Sequence, residues 1–213
     1  MRWNCCSGSW AFALAILLAL SGCKPKEFQT LLEPSEALGT VLADEAARVV
    51  GDRKEVALIT QDASWGPPST AEEALTRALK KRGLTVVVAA AANLGDPMRS
   101  GEIGLKPADF FEAMKKSARA GAVISLVGAP LFRPGDASPL SPDHPPVLVV
   151  ATASLGSKRG VHGEALQLAG LLDANVIQLA IIDGTDPNLQ PTGKPDPPRE
   201  LFARNYRILR RPK

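Results

Sequence analysis

Residues 55–91, EVALITQDASWGPPSTAEEALTRALKKRGLTVVVAAA, hold two short apolar runs with one amphipathic helix between them, and this unit decides the fold. EVALIT (55–60) is short and partly β-branched and reads as a strand. LTVVVAAA (84–91) is uncharged and predicts a second strand, buried on both faces. The segment from Thr70 to Arg82 carries the helix. Ser69 and Glu72 form a capping box behind Pro67-Pro68. Ala71, Ala74, Leu75, Ala78 and Leu79 make the buried stripe. Acids stand in the first turn, Lys80, Lys81 and Arg82 in the last, and Gly83 ends the helix. A strand, a helix and a strand in this order predict a parallel pair joined by a crossover.

The alternation continues outward. Upstream, residues 35–50 show Leu38, Val41, Leu42, Ala46, Val49 and Val50 at the spacing of one helical face, with Ser35 as N-cap and Gly51 as stop. Downstream, residues 92–106 read as a long loop. Residues 107–120 predict a third helix with Phe110, Phe111, Met114 and Ala118 inward, and residues 122–127 a third strand. The proline-rich stretch 130–146 is unsuited to a regular helix. Residues 147–151 predict a strand, 163–174 a helix and 176–182 a fifth strand. Residues 184–198, rich in proline, read as irregular, and 206–209 as an edge strand in a basic tail. The expected fold is therefore a three-layer, Rossmann-like α/β domain: a mostly parallel sheet of about five strands with helices on both faces.

The amino terminus departs from this pattern. The chain of 213 residues is 45% hydrophobic and 22% charged, with a formal net charge of +3. Residues 10–20, WAFALAILLAL, instead form an uncharged run behind a cationic start at Arg2. Its length suits the apolar core of an export signal and falls short of a spanning helix. Leu20-Ser21-Gly22-Cys23 follows and resembles the lipobox of bacterial lipoproteins. That resemblance implies cleavage after residue 22 and acylation of Cys23. The other two of the three cysteines, Cys5 and Cys6, would leave with the signal. The alternative is an ordinary secretory signal that has a cysteine after Gly22. Three acyl chains would anchor the protein for good, since two already suffice. Lys24 stands where an aspartate favours inner-membrane retention in enterobacterial lipoproteins, so the resemblance implies an outer-membrane anchor facing the periplasm. The expected divisions are a signal (1–22), a lipidated cysteine and tether (23–34), an α/β domain (35–183) and a proline-rich, basic tail (184–213).

The order helix, EVALIT, helix, LTVVV, helix, AVISLVG also resembles one lobe of the type I periplasmic sugar-binding proteins. The likeness is one of pattern over roughly residues 36–128 and implies a ligand-binding lobe.

In an open parallel sheet, ligands bind beyond the carboxyl ends of the strands. After the first strand stand Asp62, Ser64 and Trp65, a carboxylate, a hydroxyl and a ring suited to a polar, stacked ligand. The competing reading is a loop that caps its own backbone. After the second strand come Asn93, Asp96 and Arg99; the arginine suits an anionic group, or pairs with the aspartate. Lys158, Arg159 and Gly160 precede a helix start and offer a weak anion cradle, without the spacing of a nucleotide-binding loop.

No residue presents itself as a catalytic nucleophile. His144 and His162 lack metal-ligand spacing, and Glu72-Glu73 reads as a capping pair on an exposed helix face. No cofactor, metal or nucleic acid is expected. The chain reads as a membrane-anchored, non-catalytic domain that binds a small polar ligand. The alternative is an envelope assembly lipoprotein whose proline-rich segments and basic tail touch partner proteins. A ligand binder should show a polar cleft near Asp62 and Trp65, and an assembly protein a filled surface there with an exposed apolar patch elsewhere.

Overall fold

The computed structural model describes residues 26–62, 66–94, 104–130, 132, 140–141, 143–152, 161–185 and 197–211, and only the backbone at 26–32 and 161–166. The chain divides into two compact units, Met1–Leu32 and Glu33–Lys213. Of the first unit the described part is helical backbone from residue 26. The second holds the α/β domain.

In chain order the elements are α1 (Lys26–Val49), β1 (Glu55–Gln61), α2 (Thr70–Lys81), β2 (Thr85–Ala92), α3 (Pro107–Lys116), β3 (Ala122–Ser125), β4 (Val147–Ala151), α4 (Val161–Asp173), β5 (Leu179–Asp183), α5 (Pro197–Asn205) and β6 (Tyr206–Arg210). The six strands form one sheet in the order β2-β1-β3-β4-β5-β6. The first five run parallel and β6 pairs antiparallel with β5, from Leu179 opposite Arg210 to Asp183 opposite Tyr206. The architecture is thus three-layer α/β, as the alternation predicts.

Two apolar clusters flank the sheet. On one face Leu38, Leu42, Leu75, Leu79 and Phe202 bring α1, α2 and α5 against Val56, Leu58, Ile124, Leu148 and Ile181. On the other, Phe110, Met114, Leu168 and Leu172 bring α3 and α4 against Ala57, Ile59, Val123, Val149 and Ala180. Successive strand residues alternate between the clusters, which is how β3 and β4 come to be buried throughout.

Helix α2 has the ends its sequence predicts. The Ser69 hydroxyl accepts the Glu72 N–H at 3.1 Å. At the other end Gly83 adopts φ +75°, the Leu84 N–H reaches the Leu79 carbonyl at 3.1 Å, and the Gly83 N–H reaches that of Lys80 at 2.9 Å. This is a Schellman closure, with Leu84 and Leu79 packed in one cluster. Helix α4 closes in the same way around Asn175, at φ 58°.

Three features differ from the sequence-based expectation. First, α1 begins at Lys26 rather than residue 35, with Pro34 inside it, so the backbone of most of the expected tether is helical. Second, β2 is not buried on both faces. Among the described residues it is an edge strand, Val87 is 37% exposed and Val88 62%, and within it only Ala92 is fully buried. A run without charges records apolar character, while its place in the sheet is decided by strand order. Third, the stretch expected to be irregular gives way at residue 197 to α5, which runs to residue 205; β6 is the edge strand expected at 206–209 and pairs along its whole length with β5.

The basic tail residues are partly consumed by this arrangement. Glu45, 4% exposed, receives Arg48 at 2.8 Å and Arg210 of β6 at 2.7 Å. Its neighbour Asp44 pairs with Arg82, beyond the end of α2, and with Arg199 of α5 at 3.4 Å. One acidic pair on α1 thus ties together two other helices and the last strand. Among the described residues no helix is long and apolar enough to cross a membrane.

Candidate functional site

Strand β1 lies between β2 and β3: the chain leaves β1 through α2 to β2 over one face, then returns from β2 past β1 through α3 to β3 over the other. Where such crossovers diverge, a crevice opens at the carboxyl ends of the strands. A cleft of about 210 Å³ occupies this place. Thr60 and Gln61 at the end of β1, Ala91 of β2, and Leu126 and Val127 just after β3 line one side. Gly66, Pro67, Pro68, Ser69 and Glu72, from the approach to α2 and its first turn, line the other.

Local sequence explains each wall. β1 is an apolar strand that turns polar at its last two residues, so Thr60 and Gln61 stand where the sheet ends. Beyond β3, the Leu126 N–H donates to the Ile59 carbonyl at 2.9 Å and continues the β1 contact past the strand. The buried Ser125 hydroxyl donates to the Gly128 carbonyl at 2.6 Å, and Gly128 takes φ +89°, folding the chain away from the cleft rim. Pro67-Pro68 holds the approach extended, and Ser69 starts the helix with its first turn facing the opening.

Glu72 is the charged group of the cleft. Burial, and secondarily the neighbouring carboxylate of Glu73, raise its pKa above the usual carboxylate range. The helix N-terminus works the other way, since its free N–H groups favour a negative charge. Among the described lining residues there is no lysine or arginine. The cleft therefore offers a carboxyl group, an amide, two hydroxyls and an apolar back wall. Such a set suits a small neutral polyol or a cationic amine better than a phosphate or carboxylate.

The structure brings two of the expected ligand residues together. Gln61 and Ala92 are register partners, so Asp62 and Asn93 follow side by side, and the Asp62 N–H donates to the Ala92 carbonyl at 3.1 Å. Gln61 lines the cleft directly, one residue before Asp62. Ser64, Trp65, Asp96 and Arg99 lie outside the described residues, as do Cys23 and the trio Lys158, Arg159 and Gly160.

Sequence reasoning missed Glu72, which it set on an exposed face as a cap. Exposure belongs to Glu73; Glu72 is half-buried and lines the cleft. The signal was present: a carboxylate in the first turn of a helix that starts at the carboxyl end of the sheet faces the ligand crevice.

His144 serves the fold. Its Nδ1 lies 2.8 Å from the Pro145 carbonyl and its Nε2 3.1 Å from that of Asn175, linking the approach to β4 with the end of α4. Among the described residues no group of three or more His, Cys, Asp or Glu is placed to hold a metal ion. In comparisons with known proteins, no family model matches the chain and no curated protein matches it in sequence.

Proposed function

We propose that this protein is a lipid-anchored bacterial envelope protein whose α/β domain binds a small neutral or cationic polar ligand without transforming it. The observation that carries the ligand reading is the cleft at the divergence of β1 and β3, with Thr60, Gln61, Ser69 and Glu72 converging on it. Concave shape, apolar back wall and a few polar groups are what a small-molecule site needs. The size fits a ligand of monosaccharide or amino-acid dimensions. The anchoring part rests on the apolar run 10–20 and on Leu20-Ser21-Gly22-Cys23.

Thermal unfolding of the chain with Cys23 replaced by Ser, against a panel of sugars, polyols, amino acids, amines and phosphorylated metabolites, tests the ligand reading. A ligand at a hundred times its dissociation constant stabilises by about 2.7 kcal/mol. In a domain of this size, at about 2–4 °C per kcal/mol, that moves the midpoint upward by roughly 5–11 °C. The shift should come from a neutral or cationic compound and vanish in Gln61→Ala and Glu72→Gln. A shift that survives both changes places the ligand elsewhere, and no shift across the panel removes the reading. Fractionation of the Cys23→Ser protein tests the anchor: persistent sedimentation with membranes means that something other than lipid holds it.

A second reading, an envelope assembly protein, is favoured by one observation, the apolar exposed strand β2 with Val87 and Val88 at the sheet edge.

A further inference from the structure

Among the described residues, strand β2 has β1 on one side and no strand on the other. One set of its backbone N–H and C=O groups therefore points away from the sheet. Its eight residues, TVVVAAAA, contain no charge and no proline, the residues with which natural edges are usually blunted. Its one irregularity is a register slip between Leu58 and Ile59 of β1, which leaves Ala89 as the extra residue. Val86 packs into the α1–α2 cluster, so by alternation Val88 points to that face and Val87 to the other. Both are exposed, at 62% and 37%. Apolar side chains thus stand uncovered on both faces of an unpaired edge.

The charges beside this edge indicate what covers it. Helix α2 packs over β2 and runs opposite to it, as a crossover helix must. It carries the exposed Glu73 at the carboxyl end of the strand and the exposed Lys80 at the amino end, while Lys81 lines a groove with Glu36 and Thr40 of α1 and Arg82 pairs with Asp44. A two-fold axis normal to the sheet would pair β2 with its own copy in antiparallel sense and set the two α2 helices side by side on one face. Each acidic end then meets the partner's basic end. The strand itself brings no like charges together, because it has none.

We propose that the protein dimerises through β2, forming one continuous twelve-stranded sheet across the two-fold axis. This surface is self-complementary, as a closed dimer requires. The interface leaves the cleft open, since Gln61 ends the inner strand β1 and Ser69 and Glu72 start α2 beside it, none of them on the open edge of β2.

Sedimentation of the full chain in mild detergent, over a range of protein concentrations, tests the proposal. The expected result is a concentration-dependent dimer. Val88→Lys puts a charge on the exposed edge and should halve the mass to that of the monomer, with far-UV circular dichroism unchanged. Glu73→Lys and Lys80→Glu, both on the exposed surface of α2, should each weaken the dimer by setting like charges together across the axis. The double variant Glu73→Lys/Lys80→Glu should restore it, because the swap rebuilds the pairs with the signs reversed. A wild-type chain that stays monomeric at every concentration overturns the proposal. So does a dimer that persists in Val88→Lys, or a double variant that dimerises no better than the single ones.

Discussion

Glu72 is the residue at which site and stability meet. Its carboxyl group is held above the usual carboxylate range, first by burial and then by Glu73. The folded protein therefore binds this proton more tightly than the unfolded chain does. Below the ordinary carboxylate pKa the group is protonated in both states and costs nothing. As pH rises from there through the raised pKa, the unfolded chain releases the proton first, and stability falls until both states are ionised. Replacing Glu72 by Gln should remove this part of the pH dependence. Urea midpoints of parent and variant, measured from acid to neutral pH, should separate progressively in favour of the variant as pH rises. The lost attraction to the α2 N-terminus lowers the variant by about 0.3–1 kcal/mol wherever the parent is ionised, and so works against the separation. Curves that stay parallel would mean that the carboxyl group is solvated and that the cleft is more open than its lining implies. The residue was visible in the sequence as the last member of a capping box. Its place in a cleft was not, because that depends on β1 and β3 standing side by side, a relation between residues more than sixty positions apart.

At the scale of elements, the unit from β1 to β2 follows closely from local chemistry, while its surroundings do not. Ser69, the stripe from Ala71 to Leu79 and Gly83 each act within a turn or two, so α2 was legible to within a residue. The exposure of β2 was illegible, since TVVVAAAA reads the same at a sheet centre or an edge. Helix α5 is hidden for another reason: Pro197-Pro198 closes a proline-rich stretch that reads as irregular chain, although proline is well suited to the first turn of a helix. The contact between α1 and α2 was also hidden, and it turns on one glycine. A Cβ at Gly39 would lie 2.7 Å from the Leu75 N and 2.8 Å from the Ala74 Cβ, with the Ala71 carbonyl oxygen closer still. Alanine is the better helix former by about 0.8–1.0 kcal/mol. Gly39→Ala should nonetheless destabilise the protein, because the atoms it meets are mostly backbone and the helices must move apart; such overpacking costs about 1–3 kcal/mol. Denaturant unfolding decides between the two effects. A raised midpoint would show that α1 and α2 separate easily, and that their packing is looser than the clash distances imply.

For the whole molecule, the question is whether the last strand belongs to the fold or merely follows it. The ordering of the tail is explained by three contacts made at long range. β6 supplies a full antiparallel ladder to β5. Tyr206, almost fully buried, stacks at a tilt on Phe202 with ring centres 5.5 Å apart. Arg210 reaches the buried Glu45 of α1, 165 positions away, at 2.7 Å. Without β6 the edge of β5 would open, and Ile208 and Leu209, which pack against opposite clusters, would leave both faces at once. Loss of one large buried aromatic side chain alone costs about 3–5 kcal/mol. Domains have only about 5–15 kcal/mol in total. A chain ended after Asn205 should therefore lose most of its stability, with a urea midpoint far below that of the full chain and a broadened transition. Since the two clusters share every central strand, the loss should appear in both together: fluorescence of Tyr206 aside, probes on α2 and on α3 should melt in one transition in the full chain and shift in parallel in the shortened one. If the shortened chain unfolds like the full one, β6 is an appendage, the Glu45 pairs contribute little, and the five parallel strands stand alone as the cooperative unit.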